Sequence, residues 1–192
     1  MSFAERIEKE IRRSIAVKEQ FLADGGAAVL EKMAEALLKA LRAGGRVYLC
    51  GNGGSAADCQ HIAGEFVGRF MKERAPLPAV ALTTDTSVLS CLGNDYSFDV
   101  VFERQVNALV RVGDVLIALS TSGNSENILR AVAAAKKLGA VTLGFSGRGG
   151  GKLTDSADIS LVAGDDVSAR IQELHITCAH VLCGLVEAQY FA

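Results

Sequence analysis

The sequence predicts an α/β protein, a doubly wound five-stranded parallel sheet flanked by helices and preceded by a helical hairpin. Two observations support this fold class. After residue 45, short apolar runs alternate with stretches of helical periodicity, which is the pattern of βαβ units. Before it, two amphipathic stretches are each followed by a pair of glycines. With 192 residues, 49% of them apolar, the chain can bury one core, so we expect a single domain with the hairpin at 1–44 and the α/β core at 45–192.

The hairpin is predicted from apolar residues that recur at helical spacing among charged ones. The first helix is expected at Ala4–Leu22, where the apolar positions are Ile7, Ile11, Ile15 and Leu22. The second is expected at Ala27–Ala43, with an apolar side made of Leu30, Met33, Leu37, Leu38 and Leu41.

The five strands are predicted from short apolar runs at Val47–Cys50, Ala79–Leu82, Val115–Leu119, Val141–Phe145 and Ile159–Val162. The remaining helices are expected at Ala56–Phe70, Ser87–Leu92, Val100–Val110, Asn124–Leu138 and Ser168–Tyr190. In sheets of this kind, ligands bind beyond the carboxyl ends of the strands. We therefore expect the chemistry in the loops that follow Cys50, Leu82, Leu119 and Phe145.

Charge, hydropathy and cysteine content exclude several classes of function. The 22 acidic and 20 basic side chains leave a net charge of −2, so no overall positive field exists to hold nucleic acid. No apolar run reaches the roughly 20 residues of a membrane span, and the chain does not begin with a secretory apolar segment. The five cysteines form no CxxC pair and are expected as reduced thiols of the core. We therefore expect a cytoplasmic protein without a membrane or nucleic-acid partner.

The loop Gly51–Ser55 follows a strand and begins a helix, so its backbone amides and the helix dipole form an anion site. The pattern G-x-G-x-x-A, which ends at Ala56, also fits a dinucleotide-binding turn, but no strand ending in an acidic residue follows at the required distance. A P-loop near Lys152 is excluded because Leu153 stands where a metal-binding hydroxyl is needed.

The loop after the third strand, Ser120–Ser125, carries four hydroxyl groups and a glycine. One hydroxyl would suffice to cap the following helix, whereas several hydroxyls beside free amides match the acceptor oxygens of a phosphate monoester. A plain cap and turn remains the alternative. Two such loops at neighbouring strand ends would converge on one small phosphorylated ligand.

Three histidines complete the candidate residues. His61 and Glu65 are four apart and share a helix face, where they could bind a cation or form a surface hydrogen bond. On the last helix, His175 and His180 lie among apolar residues, where each imidazole needs a polar partner. A hydrogen-bonded core histidine remains the alternative for both.

These loops, together with other stretches, carry a resemblance that runs essentially the length of the chain. The shared stretches are Gly51–Ser55, Gln60–Glu65, Gly93–Asp95, Ser120–Ser125, Ala169–Glu173 and His175–His180. In these segments the sequence is similar to the phosphoheptose isomerase (sedoheptulose 7-phosphate isomerase) family, which has the sugar isomerase (SIS) fold. The resemblance implies an SIS-type sheet and an aldose–ketose isomerase that converts D-sedoheptulose 7-phosphate into D-glycero-D-manno-heptose 7-phosphate, the first step toward activated heptose for lipopolysaccharide or other surface polysaccharides.

The resemblance also implies roles for individual residues. One zinc ion per subunit would be bound by His61, Glu65, Gln172 and His180, with Glu65 as the base and His180 as the acid. The phosphate would be held by Ser55, Ser120, Thr121, Ser122 and Ser125. The sugar would be lined by Asn52, Gly53, Gly54, Asn94 and Asp95, with Glu65 and Gln172. At Ala169 some family members carry an acid, for which Asp165 and Asp166 are nearby substitutes.

The spacing of two of these ligands is unfavourable for one helix, because Gln172 and His180 are eight residues apart, about 12 Å along its axis. Ligands from different subunits would relieve the strain, so we expect a site at an oligomer interface. The resemblance to the family also implies a tetramer, in which apolar residues of the first two helices would form the buried subunit interfaces. The alternative function is that of a non-catalytic SIS adaptor for the replication initiator protein, a branch that differs at the positions of Glu65 and the last-helix acid.

Overall fold

The computed structural model describes all 192 residues. The helices are α1 (Phe3–Ala23), α2 (Gly26–Arg42), α3 (Gly54–Val67), α4 (Thr86–Asp95), α5 (Val101–Leu109), α6 (Glu126–Lys137), α7 (Gly151–Ser156) and α8 (Ser168–Tyr190), with a 3-10 turn at Phe98–Val100. The strands are β1 (Val47–Gly51), β2 (Ala79–Ala81), β3 (Val115–Ser120), β4 (Val141–Gly147) and β5 (Ile159–Ala163). They form one sheet in the order β2-β1-β3-β4-β5, and every pair is parallel. The predicted fold class is confirmed.

The order of the strands places a topological switch between β1 and β3. From β1 the chain adds β2 on one side, and it then returns to add β3, β4 and β5 on the other. Connections from the two neighbouring strands leave in opposite directions, which opens a crevice at their carboxyl ends. The loops Gly51–Ser55 and Ser120–Ser125 border this crevice.

Both faces of the sheet are covered, because alternate residues of each strand pack into two different clusters. In β1, Val47 and Leu49 belong to the cluster that includes residues of α1, α2, α3 and α8. Tyr48 and Cys50 belong to the cluster under α5 and α6. Burial on both faces explains why the strands read as continuous apolar runs rather than alternating ones.

The helices differ from the sequence prediction in three places. α4 extends to Asp95, so Asn94 and Asp95 lie in its last turn rather than in a loop. α3 ends at Val67 instead of continuing to Phe70. A short helix, α7, was not predicted, because its six residues are too few to display a periodicity.

The apolar side of α1 is divided between core and solvent. Val17 and Phe21 are buried, whereas the side chains of Ile7, Ile11 and Ile15 are exposed by 60%, 57% and 49%. Only the second half of the helix therefore contributes to the core of the chain.

No helix of the structure is long and apolar enough to cross a bilayer. The five cysteines are free thiols, as expected from the sequence, and four of them are buried. Cys91 is the exception, because it is exposed on α4, where its thiol donates to Asp95 at 3.4 Å.

His175 is fully buried where α8 packs on the end of β4. Its Nε2 atom lies 2.9 Å from the carbonyl oxygen of Ser146, while Nδ1 has no partner. Burial lowers the pKa of His175 and the hydrogen bond to Ser146 raises it. Burial is the larger effect, and the pKa falls to about 4. This geometry is that of a core histidine whose neutral ring donates to a carbonyl.

The depressed pKa predicts a loss of stability in mild acid. In the unfolded chain His175 becomes protonated as the pH falls below its ordinary pKa of 6.5. In the folded chain it stays neutral until about pH 4. The free energy of unfolding is therefore expected to fall by about 2 kcal/mol from pH 7 to pH 5 through this residue alone. Urea unfolding at both pH values checks this, with His175→Gln as the comparison, since Gln can donate to Ser146 but does not titrate. An equal loss of stability in the variant would contradict the prediction.

Candidate active site

Two loops meet at the switch point because their strands are paired in register, with Gly51 opposite Leu119. The side-chain amides of Asn52 and Asn127 join them by a reciprocal pair of hydrogen bonds, each 2.9 Å long. Asn127 lies in the first turn of α6 and is buried. The Asn52 amide is thus already engaged by a protein partner on both its oxygen and its nitrogen.

The hydroxyl groups of the Ser120–Ser125 loop gather on one side. The Ser120 hydroxyl donates to that of Ser125 at 3.1 Å and lies 3.5 Å from that of Ser122. Thr121 lies apart, with its hydroxyl 3.5 Å from that of Ser168 at the start of α8. The side chain of Ser125, which is the N-cap residue of α6, makes no capping hydrogen bond. The Ser122 hydroxyl also accepts from the backbone of Asn124 at 3.1 Å, so part of the loop is a turn, while the absence of a cap at Ser125 leaves its hydroxyl available to a ligand.

The second half of the predicted anion site is the start of α3. Gly53 precedes the helix with φ 56° and ψ −121°, a conformation suited to glycine, and no side chain caps the helix. The amides of Ser55, Ala56 and Ala57 donate instead to the backbone carbonyls of Asn52 and Gly53, and the Ser55 side chain is buried.

A second cluster lies farther along α3, where this helix packs on α8. The Nε2 atoms of His61 and His180 are 3.0 Å apart, and His61 Nε2 is 3.1 Å from Glu65 Oε1. One donor atom from each of the three residues lies within 4.8 Å of the others. His61 and Glu65 converge because they are one turn apart on α3, and His180 joins them from the neighbouring helix.

The other residues expected at the site are held elsewhere. The Gln172 amide lies beside Gly54, since a Cβ atom added there would be 2.6 Å from its Nε2. That position is about 10 Å of helix before His61. The Asn94 amide donates to the exposed Asp95 carboxylate at 2.8 Å.

Of the two acids considered as replacements for the one missing at Ala169, Asp165 is already paired. Asp165 accepts from Arg13 Nε at 2.7 Å and from Arg13 Nη2 at 2.8 Å. It also accepts from the backbone of Val167. The carboxylate of Asp165 therefore anchors α1 to the start of α8.

Two neighbouring polar residues were missed by the sequence analysis. Asp58 lies one turn before His61 on α3, and its Oδ2 atom is buried without a partner. Burial raises the pKa of Asp58, while the nearby His61 and His180 lower it. Ser168, next to Thr121, is the second. Asp58 could have been found from the sequence, because it precedes His61 by three residues and so shares its helix face. Nothing in the sequence places Ser168 near Thr121.

These side chains fit a divalent metal ion. Imidazole nitrogens and a carboxylate oxygen are the donors that zinc prefers, and three of them converge within 4.8 Å. The unpartnered oxygen of Asp58 lies on the same face of α3 and is a further carboxyl donor near them. Two imidazoles with facing Nε2 atoms are held together favourably by a shared proton or a shared cation.

Comparison with known proteins places the chain among its relatives. Residues 11–147 match the family described as the SIS domain. Phosphoheptose isomerase of Aquifex aeolicus is 52% identical over 183 residues, which are 95% of this chain and 95% of that protein. The chain belongs to the phosphoheptose isomerase family. The comparisons support this family prediction and do not support the alternative of an adaptor.

Solved phosphoheptose isomerase structures have the same fold. The enzyme from Neisseria gonorrhoeae is 42% identical, with a TM-score of 0.91 over 97% of this chain and 100% of that chain. The one from Francisella tularensis is 36% identical, with a TM-score of 0.93 over 98% of this chain and 100% of that chain. The SIS-type sheet expected from the resemblance is confirmed.

Proposed function

We propose that this chain is a phosphoheptose isomerase that interconverts D-sedoheptulose 7-phosphate and D-glycero-D-manno-heptose 7-phosphate. The observation that carries the proposal is the convergence of a carboxylate, Glu65, and an imidazole, His180, on facing helices of a chain that also has two anion-binding loops. The names of relatives about half identical to it support the substrate class. The reaction would be the first step toward the activated heptose of lipopolysaccharide or another surface polysaccharide. Its free cysteines fit the reducing cytoplasm, where we place it.

The proposed mechanism moves one proton between neighbouring carbons. Glu65 removes a proton from C1 of the ketose, while the protonated His180 donates one to the oxygen on C2, which gives the enediol. Glu65, which is partly exposed, exchanges this proton with solvent and then delivers a proton to C2, and His180 takes the proton from the oxygen on C1. A carboxylate and an imidazole are suited to these exchanges because their proton affinities lie near those required at neutral pH.

Phosphate binding would hold the reacting carbons in place. We assign the phosphate to the hydroxyls of Ser55, Ser120, Thr121, Ser122 and Ser125 and to the positive end of the α3 dipole. Asn94 and Asp95 would contact the sugar, with the backbone of Asn52, Gly53 and Gly54. Since the Asn52 amide is paired with Asn127, we propose that its side chain shapes the loop rather than binding the sugar.

Zinc would be bound in the resting enzyme by His61, Glu65 and His180, with one ion per subunit, and Glu65 and His180 would have to leave the ion to act as base and acid. When bound, it would polarise the substrate carbonyl and stabilise the negative charge that develops on its oxygen. We propose Gln172 as the fourth ligand, supplied by a neighbouring subunit, because within one chain this amide lies at the first turn of α3.

A homotetramer with sites at subunit interfaces accounts for the exposed apolar surface. One surface comprises Ile7, Ile11 and Ile15 of α1. A second comprises Leu22 with Val181 and Leu185, which flank His180 on α8. Two separate self-complementary surfaces are what a tetramer with two kinds of two-fold interface requires.

Ile11→Glu is expected to yield species smaller than the tetramer in sedimentation velocity and to reduce isomerase activity in parallel. A charge on the apolar face of α1 would have to be desolvated on assembly. Val112→Glu is the matched control, since Val112 is 80% exposed in the turn before β3, at the opposite end of the sheet. An Ile11→Glu protein with the wild-type sedimentation coefficient would contradict this interface.

Isomerisation of sedoheptulose 7-phosphate in D2O, followed by NMR, tests the proposed function. The expected product is the aldose phosphate with deuterium at C2. A chelator is expected to abolish the activity, and added zinc is expected to restore it. Sedoheptulose without phosphate and fructose 6-phosphate are the comparison substrates, and both should react more slowly. If the metal-loaded protein isomerises none of the three sugars, the proposal is refuted.

A further inference from the structure

The segment 68–76, between α3 and β2, is folded around a buried ion pair. Arg74 Nε donates to Glu187 Oε1 at 3.0 Å, and both side chains are 3% exposed. Arg74 lies in the segment itself, whereas Glu187 belongs to the last turns of α8. Ion pairs this deeply buried persist only where further hydrogen bonds satisfy both charged groups.

On the arginine side, these hydrogen bonds go to the end of α3. Arg74 Nη2 donates to the carbonyl oxygen of Glu65 at 2.7 Å, and Nη1 donates to those of Phe66 at 2.7 Å, Gly68 at 3.1 Å and Ala75 at 3.1 Å. The last carbonyls of a helix lack partners within it and carry the negative end of its dipole. Arg74 therefore caps the turn of α3 that contains Glu65.

On the glutamate side, the hydrogen bonds come from consecutive backbone amides. The N–H groups of Phe70, Met71 and Lys72 donate to Glu187 at 2.9, 2.7 and 2.9 Å. Burial raises the pKa of Glu187, but these donors and Arg74 outweigh that effect and lower it to about 2. The carboxylate stays ionised and holds the backbone of the segment in one conformation.

This conformation places an aromatic ring against the proposed acid. The Phe70 ring stacks on the His180 ring, with centroids 5.7 Å apart and planes inclined by 27°. Gly184, one turn after His180, also faces this ring, since a Cβ atom added there would be in van der Waals contact with Phe70 Cε1 at 3.4 Å. His180, Gly184 and Glu187 form one stripe of α8 that faces the segment.

We propose that Arg74 and Glu187 are positioning residues of the proposed isomerase, which fix Glu65 through its backbone carbonyl and His180 through the Phe70 ring. The inference rests on the proposed function and adds to it the residues that fix the distance between the base, Glu65, and the acid, His180. Neither residue contacts the loops Gly51–Ser55 and Ser120–Ser125. Their loss should therefore affect turnover and metal binding more than the KM for the phosphorylated sugar.

Glu187→Gln is the principal test, because it keeps the shape of the side chain and removes its charge. Asp114→Asn is the matched control, because Asp114 is also buried and also accepts from backbone amides, in its case the two of Arg46 and Arg111, each at 2.8 Å. It lies at the amino end of β3, away from the site. Each variant is assayed as the full-length assembled protein for Tm, kcat, KM and zinc affinity, the last by competition with a chromophoric chelator.

Both variants are expected to lower Tm. Only Glu187→Gln should also lower kcat and zinc affinity, each by about 10- to 100-fold, as losses of outer hydrogen-bond partners do, with KM changed less than about threefold. Phe70→Leu, which leaves the ion pair in place, should lower kcat and zinc affinity in the same direction, and it replaces Glu187→Gln if that variant does not fold.

Two results would separate the possible failures. If wild-type protein isomerises the substrate but Glu187→Gln or Phe70→Leu matches Asp114→Asn in kcat and zinc affinity, Arg74 and Glu187 stabilise the fold only and the inference is refuted. If wild-type protein binds zinc but isomerises none of the sugars, the proposed function fails, and the zinc affinities still decide whether the segment positions Glu65 and His180.

Discussion

Glu65→Gln is expected to lower kcat by at least about 100-fold, the usual contribution of a positioned general base. An amide can accept hydrogen bonds at the same place but cannot take a proton from carbon. The fold should be preserved, because the Glu65 side chain is 25% exposed and its one ion pair is with His61. Steady-state kinetics, together with Tm, checks both parts of this expectation.

Glu103→Gln is the control for this substitution. The Glu103 side chain is 33% exposed and has one ion pair, with Arg130 at 3.7 Å, but it lies on α5 on the other side of the sheet. Its kcat should remain within about twofold of wild type, since a partly exposed ion pair contributes little. A Glu65→Gln enzyme that is as active as Glu103→Gln would remove Glu65 from the mechanism.

Gly123→Ala is expected to cause the largest loss of both stability and substrate affinity among single methyl additions. Gly123 has φ +64°, in the left-handed region, and a Cβ atom there would overlap the carbonyl oxygen of Gly150. The loop Ser120–Ser125 would have to move away from Gly150, which would displace its hydroxyls. We expect KM to rise more than about tenfold if each displaced hydrogen bond costs on the order of 1 kcal/mol.

Gly113→Ala separates conformational strain from overlap. Gly113 has φ +88° but no atom within 4 Å of an added Cβ, so the variant should lose only the ~1–2 kcal/mol of a left-handed residue. Gly123→Ala should lose clearly more, as measured by urea unfolding, and only Gly123→Ala should raise KM. If the two variants lose the same free energy of unfolding, Gly150 moves away at little cost and its contact with Gly123 does not fix the loop.

Most of the fold could be predicted because its signals are local. The run Val115–Leu119 is apolar throughout because β3 is covered on both faces, and such a run identifies a central strand without knowledge of its neighbours. The ends of helices were harder to predict. α3 ends at Val67 with Gly68 as its C-cap residue, a local stop signal that the sequence prediction passed over. That Arg74 and Glu187 fold the following segment cannot be seen in the sequence.

The candidate site divides in the same way. The hydroxyls of Ser120–Ser125 and the pair His61 and Glu65 were predicted because each set lies within a few residues, where helix and loop geometry decides which side chains meet. The engagement of Asn52 by Asn127 was not predicted, and it shows that a residue in a binding loop can be fully occupied by its own protein.

The sequence by itself determined the parallel sheet, the positions of the loops Gly51–Ser55 and Ser120–Ser125 at its carboxyl edge, and the family. Only the tertiary structure decided that His180 meets His61 across 119 residues, that Glu187 folds the segment containing Arg74 across 113, and that Gln172 lies by Gly54. The physical reason is that a local pattern specifies which face of a helix is apolar. Which partner that face meets depends on the packing of the whole chain, and for the exposed isoleucines of α1 on the assembly proposed here.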